Sequence, residues 1–170
     1  MSKPLKVGDK FPDDIKFDWA PITDPDPTVC GLPQTYNASK EFAGKKVVLV
    51  SVPGAFTPGC QANHLPPYIK GLDQLKAKGV DLVVFIASND VFVMNAWGKV
   101  NKVTPDHDIL FMSDTKSFFS KNYGWDAGVG DRNGRWAMVI EKDGTISYAD
   151  AESGPGKVTV SGAEAVLSKL

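Results

Sequence analysis

Two runs in this chain, residues 47–52 and 80–87, are apolar at nearly every position. A run without polar alternation reads as a strand covered by helices on both faces. Between them lie Leu65, Tyr68, Ile69, Leu72 and Leu75 at helical spacing, so a helix is expected from Gly59 to about Lys78, with Gly79 as its stop. A strand, a helix and a strand of this size form one βαβ unit, and its two strands should run parallel. Pro66 and Pro67 fall inside the helix. Pro66 cannot donate to the carbonyl of Ala62, so a kink is expected there.

The rest of the chain adds elements around this unit. Residues 1–20 alternate weakly, chiefly at Lys16-Phe17-Asp18-Trp19, and read as a small N-terminal hairpin or two edge strands. Residues 21–33 contain four prolines and form a surface loop that carries Cys30. A short helix over 39–43 ends at Gly44. Asn89 or Asp90 caps a helix with Val93, Ala96, Trp97 and Val100 on one face. Residues 110–112 form a short strand, and Asp114 caps a helix ending before Gly124. Residues 126–133 are a glycine-rich loop with neither G-x-G-x-x-G nor P-loop spacing, which argues against a nucleotide site. Residues 135–141 and 145–149 flank Lys142-Asp143-Gly144, a hairpin signal. Ser161-Gly162-Ala163-Glu164 reads as a capping box opening a last helix, with Ala163, Val166, Leu167 and Leu170 on its apolar stripe. The expectation is one α/β domain over residues 1–170, a central sheet flanked by helices.

Composition narrows the function classes. With 42% hydrophobic and 23% charged residues the chain is an ordinary globular protein, and its net charge of −1 gives no overall basic surface for nucleic acid or acidic membranes. The apolar runs are far short of a membrane span. Met1-Ser2-Lys3-Pro4-Leu5-Lys6 is charged with no apolar core after it, so no secretory signal is expected, and the sequon Asn37-Ala38-Ser39 reads as a chance match. Two cysteines do not make a disulfide scaffold; they are free thiols or a redox pair.

One thiol stands out. Cys60 closes the loop Pro53-Gly54-Ala55-Phe56-Thr57-Pro58-Gly59-Cys60 and lies in the first turn of the expected helix, facing unpaired N–H groups and the positive end of the helix dipole. Bringing a thiol from about 8.5 to about 6 takes roughly 3.4 kcal/mol. A helix end supplies about 0.3–1 kcal/mol, at most about 2. A cation at about 4 Å, at an effective dielectric near 20, supplies up to about 4 kcal/mol. The fold must therefore bring a cation to Cys60. Arg135 is the candidate, because it leads a strand otherwise almost wholly apolar (Trp136, Ala137, Met138, Val139, Ile140), where a charge is costly without a partner. Thr57 can place its hydroxyl beside the sulfur or serve as an N-cap. Pro53 and Pro58 stiffen the loop. His64, one turn on, reads as capping or packing rather than as a base, and a metal site fails on ligand count, because His107 is the only other histidine. Trp97 and Phe92 read as core or subunit interface.

The loop, followed by His64-Leu65-Pro66, resembles the active-site signature of the peroxiredoxins, specifically the type-five subfamily of alkyl hydroperoxide reductases. The likeness continues through Lys76-Ala77-Lys78-Gly79-Val80, Ser88-Asn89-Asp90, Ala96-Trp97-Gly98 and Gly134-Arg135-Trp136-Ala137-Met138-Val139. The resemblance implies a thioredoxin-like fold with a central mixed sheet, a peroxidatic cysteine at Cys60, Thr57 and Arg135 holding the peroxide, and Pro53 and Gly59 lining the pocket. It implies no metal or organic cofactor. Its substrates would be hydrogen peroxide and alkyl hydroperoxides, and its reductant thioredoxin or glutaredoxin with glutathione. Cys30 resembles the upstream resolving cysteine of a branch in which that thiol pairs with a partner subunit, so a homodimer is implied. An external thiol could resolve instead.

The chain ends Ser168-Lys169-Leu170, the peroxisomal import tripeptide. Peroxisomal location is the first expectation and cytoplasm the alternative, since Leu170 also completes the last helix's apolar stripe. Two other functions stand beside peroxidase: a redox relay that passes a disulfide to client proteins, and a non-catalytic thioredoxin-like module, against which the Thr57, Cys60 and Arg135 set weighs.

Overall fold

A computed structural model describes residues 3–170; Met1 and Ser2, which begin the N-terminal stretch read above, lie outside them. The described elements are β1 (Lys16–Trp19), β2 (Gln34–Asn37), α1 (Ala38–Glu41), β3 (Val47–Ser51), α2 (Leu65–Lys70), α3 (Leu72–Ala77), β4 (Leu82–Ala87), α4 (Val91–Val100), β5 (Ile109–Ser113), α5 (Phe118–Tyr123), β6 (Trp136–Ile140), β7 (Ile146–Ala151) and α6 (Ala163–Leu167). The strands form one seven-stranded mixed sheet in the order β2-β1-β5-β4-β3-β6-β7.

The expected βαβ unit is present. β3 and β4 run parallel, with Val47 opposite Leu82 and Ser51 opposite Ile86. Their unbroken apolar character follows from two cores. Val48, Val50, Val83 and Phe85 pack under α2, α3 and α4 with Leu65, Tyr68, Leu75 and Trp97. Val47, Leu49, Leu82 and Val84 face the other way, against Phe17, Phe42, Phe119 and Trp136. β6 joins β3 antiparallel, with Ser51 opposite Trp136, and β7 follows as the expected hairpin partner, its turn carried by Gly144 at φ +84.

Several expectations need correction. The strand pairing with β1 is β2, across the proline-rich loop, so the N-terminal hairpin extends past residue 20. The helix after Cys60 does not run on to a kink at Pro66. Cys60–His64 wind as a π-helix, in which the Leu65 N–H reaches back to the Cys60 carbonyl. Pro66 and Pro67 then sit in the first turn of α2, where a missing N–H is tolerated. The break falls at Gly71 instead, between α2 and α3. Gly79 ends α3 as expected, at φ +87. Asp90 caps α4 by accepting the N–H groups of Phe92 and Val93, but the buried face is Val91, Met94, Trp97 and Gly98, while Val100 is exposed. Asp114 caps α5 at a distance, accepting from Phe119 and Ser120 across an intervening 3-10 turn. Ser161 does not form a capping box. Gly162 is the N-cap of α6, and the Ser161 hydroxyl donates to Glu152.

Candidate active site

Sheet register builds the site. β3 delivers its C-terminal end into the loop 52–59, and β6, its antiparallel neighbour, begins beside that end because Trp136 pairs with Ser51. Arg135, just before Trp136, therefore arrives next to the loop although it is 75 residues from Cys60. The loop is braced from the end of β4, where the Asn89 side-chain oxygen accepts the Ala55 N–H at 2.9 Å. Phe56 turns the chain at φ +63.

Cys60 is fully buried, and Arg135 is 5% exposed. Each guanidinium nitrogen of Arg135 has one partner. Nη2 donates to Cys60 Sγ at 3.2 Å, Nη1 to His64 Nδ1 at 2.8 Å, and Nε to the Pro155 carbonyl at 3.0 Å. Among the described residues none of these partners is a carboxylate. A buried guanidinium without a counter-ion is costly, and the sulfur of Cys60 is the group in contact with it that can carry negative charge. Arg135, the cation expected near Cys60, is thus brought by the fold into contact with its sulfur.

His64 has a structural task that the sequence did not reveal. Arginine can only donate, so Nδ1 of the fully buried His64 must accept, and the ring proton sits on Nε2, which donates to the Ser161 carbonyl at 2.9 Å. Burial is the main influence on this imidazole. The Ser161 carbonyl opposes it, the Arg135 cation reinforces it, and the ring's pKa is lowered to about 4. His64 is a neutral prop between Arg135 and the segment before α6. The available signal was its place four residues after Cys60 in a helical stretch.

Glu152 organises that segment. Its Oε1 accepts the backbone N–H groups of Thr159, Val160 and Ser161 at 2.6, 2.7 and 2.9 Å, and the Ser161 hydroxyl at 2.9 Å; Oε2 accepts the Thr159 hydroxyl at 2.8 Å. Burial by itself would raise this carboxyl, but the hydrogen bonds from Ser161, Thr159 and Val160 outweigh it and hold the group at about 2. The Glu152 N–H also donates to the Arg135 carbonyl at 2.9 Å. Glu152 thereby closes the loop that presents the Pro155 and Ser161 carbonyls to Arg135 and His64. The sequence held no signal for this role.

Of the remaining expected site residues, Thr57, Gly59 and Pro53 lie on the loop that leads into Cys60, with different contacts, and Cys30 lies on the separate proline-rich loop. Thr57 donates its hydroxyl to the Gly54 carbonyl at 2.8 Å rather than to the sulfur, and its own carbonyl accepts the Gln61 N–H. The hydroxyl oxygen keeps lone pairs available to a ligand. Gly59 lies against Arg135: a Cβ there would stand 3.1 Å from Nη2. Pro53 and Arg135 line a cavity of about 340 Å³ with Val129, Arg132 and Pro155. Cys30 is exposed on its loop, and both cysteines are free thiols. Among the described residues no group of three or more His, Cys, Asp or Glu is placed to hold a metal ion.

The family model for Redoxin matches residues 6–167. A peroxiredoxin of Penicillium citrinum, Pen c 3, is 51% identical over 168 residues, covering 98% of this chain and 99% of its own length. A protein of Lipomyces kononenkoae named a peroxisomal peroxiredoxin is 41% identical, covering 95% and 99%. Among solved structures, reduced Prx3 of Vibrio vulnificus in complex with H2O2 is similar at a TM-score of 0.79 and 36% identity, covering 98% of this chain and 99% of that one.

Proposed function

Because the chain belongs to the Redoxin family, with peroxiredoxins as its relatives, it is a thiol-dependent peroxidase, and we propose that Cys60 is its peroxidatic thiol. The observation that carries this assignment is the hydrogen bond from a buried guanidinium, that of Arg135, to a fully buried sulfur. Peroxide enters beside Pro53 and Arg135. The Cys60 thiolate attacks one oxygen, the O–O bond breaks, and the second oxygen leaves with a proton as water or an alcohol. Cys60 becomes a sulfenic acid. Arg135 and the N–H groups at the start of the π-helix stabilise negative charge on the oxygens during transfer. Thr57 accepts the peroxide O–H through its free lone pairs, which orients the attacked oxygen.

Cys30 then resolves the intermediate. Its thiolate attacks the Cys60 sulfur, the S–O bond breaks, the hydroxide leaves as water after taking a proton from solvent, and a disulfide forms; a thiol reductant such as thioredoxin, or glutaredoxin with glutathione, gives two electrons and restores both thiols. Cys30 is exposed while Cys60 is buried, and we read the resolving thiol as the Cys30 of a second copy in a homodimer. The substrates are hydrogen peroxide and alkyl hydroperoxides. Ser168-Lys169-Leu170 and the name of the Lipomyces relative favour a peroxisomal location. Among the described residues no helix is long and apolar enough to cross a membrane.

Non-reducing electrophoresis after one equivalent of peroxide tests the scheme. The expected product is a covalent dimer that disappears in either Cys30→Ser or Cys60→Ser. A bridged monomer would refute resolution between subunits, and mixed disulfides with client proteins in Cys30→Ser would favour the relay.

A further inference from the structure

The loop that carries Cys30 has little means of holding itself in place. Pro21, Pro25, Pro27 and Pro33 have no N–H to give. Its internal hydrogen bonds are short-range turns, such as Val29 N–H to the Asp26 carbonyl and the Thr28 N–H and hydroxyl to the Asp26 carboxylate. The restraint comes from α4. Asn95 and Lys99, one helical turn apart on the same face, are 3% and 6% exposed. Asn95 Nδ2 donates to the Ala20 and Pro21 carbonyls at 2.8 and 3.2 Å, at the entry to the loop. Lys99 Nζ donates to the Asp26 and Val29 carbonyls at 3.1 and 2.7 Å, on the return limb.

A lysine ammonium is rarely buried this far, and here its hydrogen-bond partners are two neutral carbonyls, with the Asp26 carboxylate adding attraction from farther off. The position of its contacts accounts for it. Cys30 follows Val29, whose carbonyl Lys99 holds, and precedes Gly31, which is packed into the neck of the loop. A Cβ on Gly31 would stand 3.1 Å from the Pro21 carbonyl oxygen and 3.5 Å from Asn95 Nδ2. The backbone of Cys30 is therefore fixed on both sides while the residue itself is exposed.

We propose that Lys99 and Asn95 are positioning residues for the second half of the catalytic cycle, holding the Cys30 backbone so that its thiol is presented to an oxidised Cys60. This rests on the reading of Cys30 as the resolving thiol. An unclasped loop would spread that thiol over many positions and lower its effective concentration at the sulfenic acid. Lys99 plays no part in the first half of the cycle, because it touches neither Cys60 nor Arg135.

Rapid-quench mass measurement on the full chain separates the two steps. Lys99→Met is expected to form sulfenic acid within about twofold of the unmodified rate, to form the disulfide about tenfold more slowly, and to accumulate sulfinic acid at Cys60 at lower peroxide doses. Lys99→Arg, which keeps cationic donors, should recover most of the disulfide rate. Asn95→Ser loosens the other limb and carries the same expectation if Lys99→Met folds poorly. An unchanged disulfide rate in both variants, or a parallel fall in sulfenic acid formation, overturns the proposal. A disulfide to Cys60 that persists in Cys30→Ser overturns the reading beneath it, whatever the Lys99 variants show.

Discussion

His64 Nδ1 accepts a hydrogen bond from Arg135 Nη1 at 2.8 Å, so the cation that faces Cys60 is itself held by a neutral imidazole. Replacing His64 by Leu removes that acceptor and leaves a buried guanidinium N–H unpaired. The rate of Cys60 oxidation should fall about tenfold or more, since the donors around the reacting oxygens lose their alignment. His64→Gln keeps an acceptor for Arg135 and a donor for Ser161, and should recover most of the rate. Stopped-flow measurement of the peroxide reaction checks both.

The same ring makes stability depend on pH. Its pKa is lowered to about 4 in the fold, against 6.5 for the free side chain. Between those values the unfolded chain binds a proton that the native state does not. Its contribution is therefore present above about pH 6.5 and is lost as the pH falls through about 4, reaching about 2 kcal/mol of loss by pH 5. Glu152, held at about 2, has the ordinary carboxylate direction and adds its own loss below about pH 4.5. Urea titrations at pH 7 and pH 5 should show the difference in the native protein and a much smaller one in His64→Gln. Equal slopes in the two proteins would contradict this.

Two glycines should separate chemistry from folding. Alanine at Gly59 brings a Cβ to 3.1 Å of Arg135 Nη2, so the guanidinium must shift. Gly59→Ala should slow peroxide reduction severalfold while leaving the melting temperature nearly unchanged. Alanine at Gly134 would put a Cβ 2.6 Å from the Trp125 carbonyl oxygen, a backbone atom that cannot move aside. Gly134→Ala should destabilise the fold by about 1–3 kcal/mol. Calorimetry and turnover assays on both variants provide the comparison.

Glu152→Ala removes the acceptor that gathers Thr159, Val160 and Ser161. The Pro155 carbonyl should then hold Arg135 Nε less firmly, with the peroxide rate falling about tenfold and disulfide formation from preformed sulfenic acid unchanged. Single-turnover kinetics read the two steps apart.

The C-terminal tripeptide is accessible at two of its positions. Ser168 and Lys169 are exposed, whereas Leu170 packs partly against the core below α6. The last dozen residues fused to a fluorescent reporter should direct it to peroxisomes. A diffuse cytosolic signal would contradict import.

What was legible in the sequence was what depends on local pattern. The unbroken apolar runs of β3 and β4, the turn at Gly144 and the capping by Asp90 all follow from the period and chemistry of adjacent residues. Arg135 was legible as a neighbour of some buried group, because a charge at the head of an apolar strand needed a partner. What stayed hidden depends on which distant groups meet. Ser161 has the spacing of a capping box, yet Glu152 takes its hydroxyl. Pro66 forbids an ordinary helix before it, but nothing local distinguishes a kink from the wide π turn that the chain adopts. The task of His64 is visible only once Arg135 and Ser161 stand on either side of its ring.

The central claim is that Arg135 makes the buried sulfur of Cys60 reactive toward peroxide, and the rate constant for Cys60 oxidation in Arg135→Gln against the native protein tests it most directly. Rapid-quench trapping of the sulfenic acid should show a fall of about 10²–10³-fold, with the sulfenic acid still forming at Cys60. A rate within about twofold of native would contradict the account, as would peroxide oxidising Cys30 first.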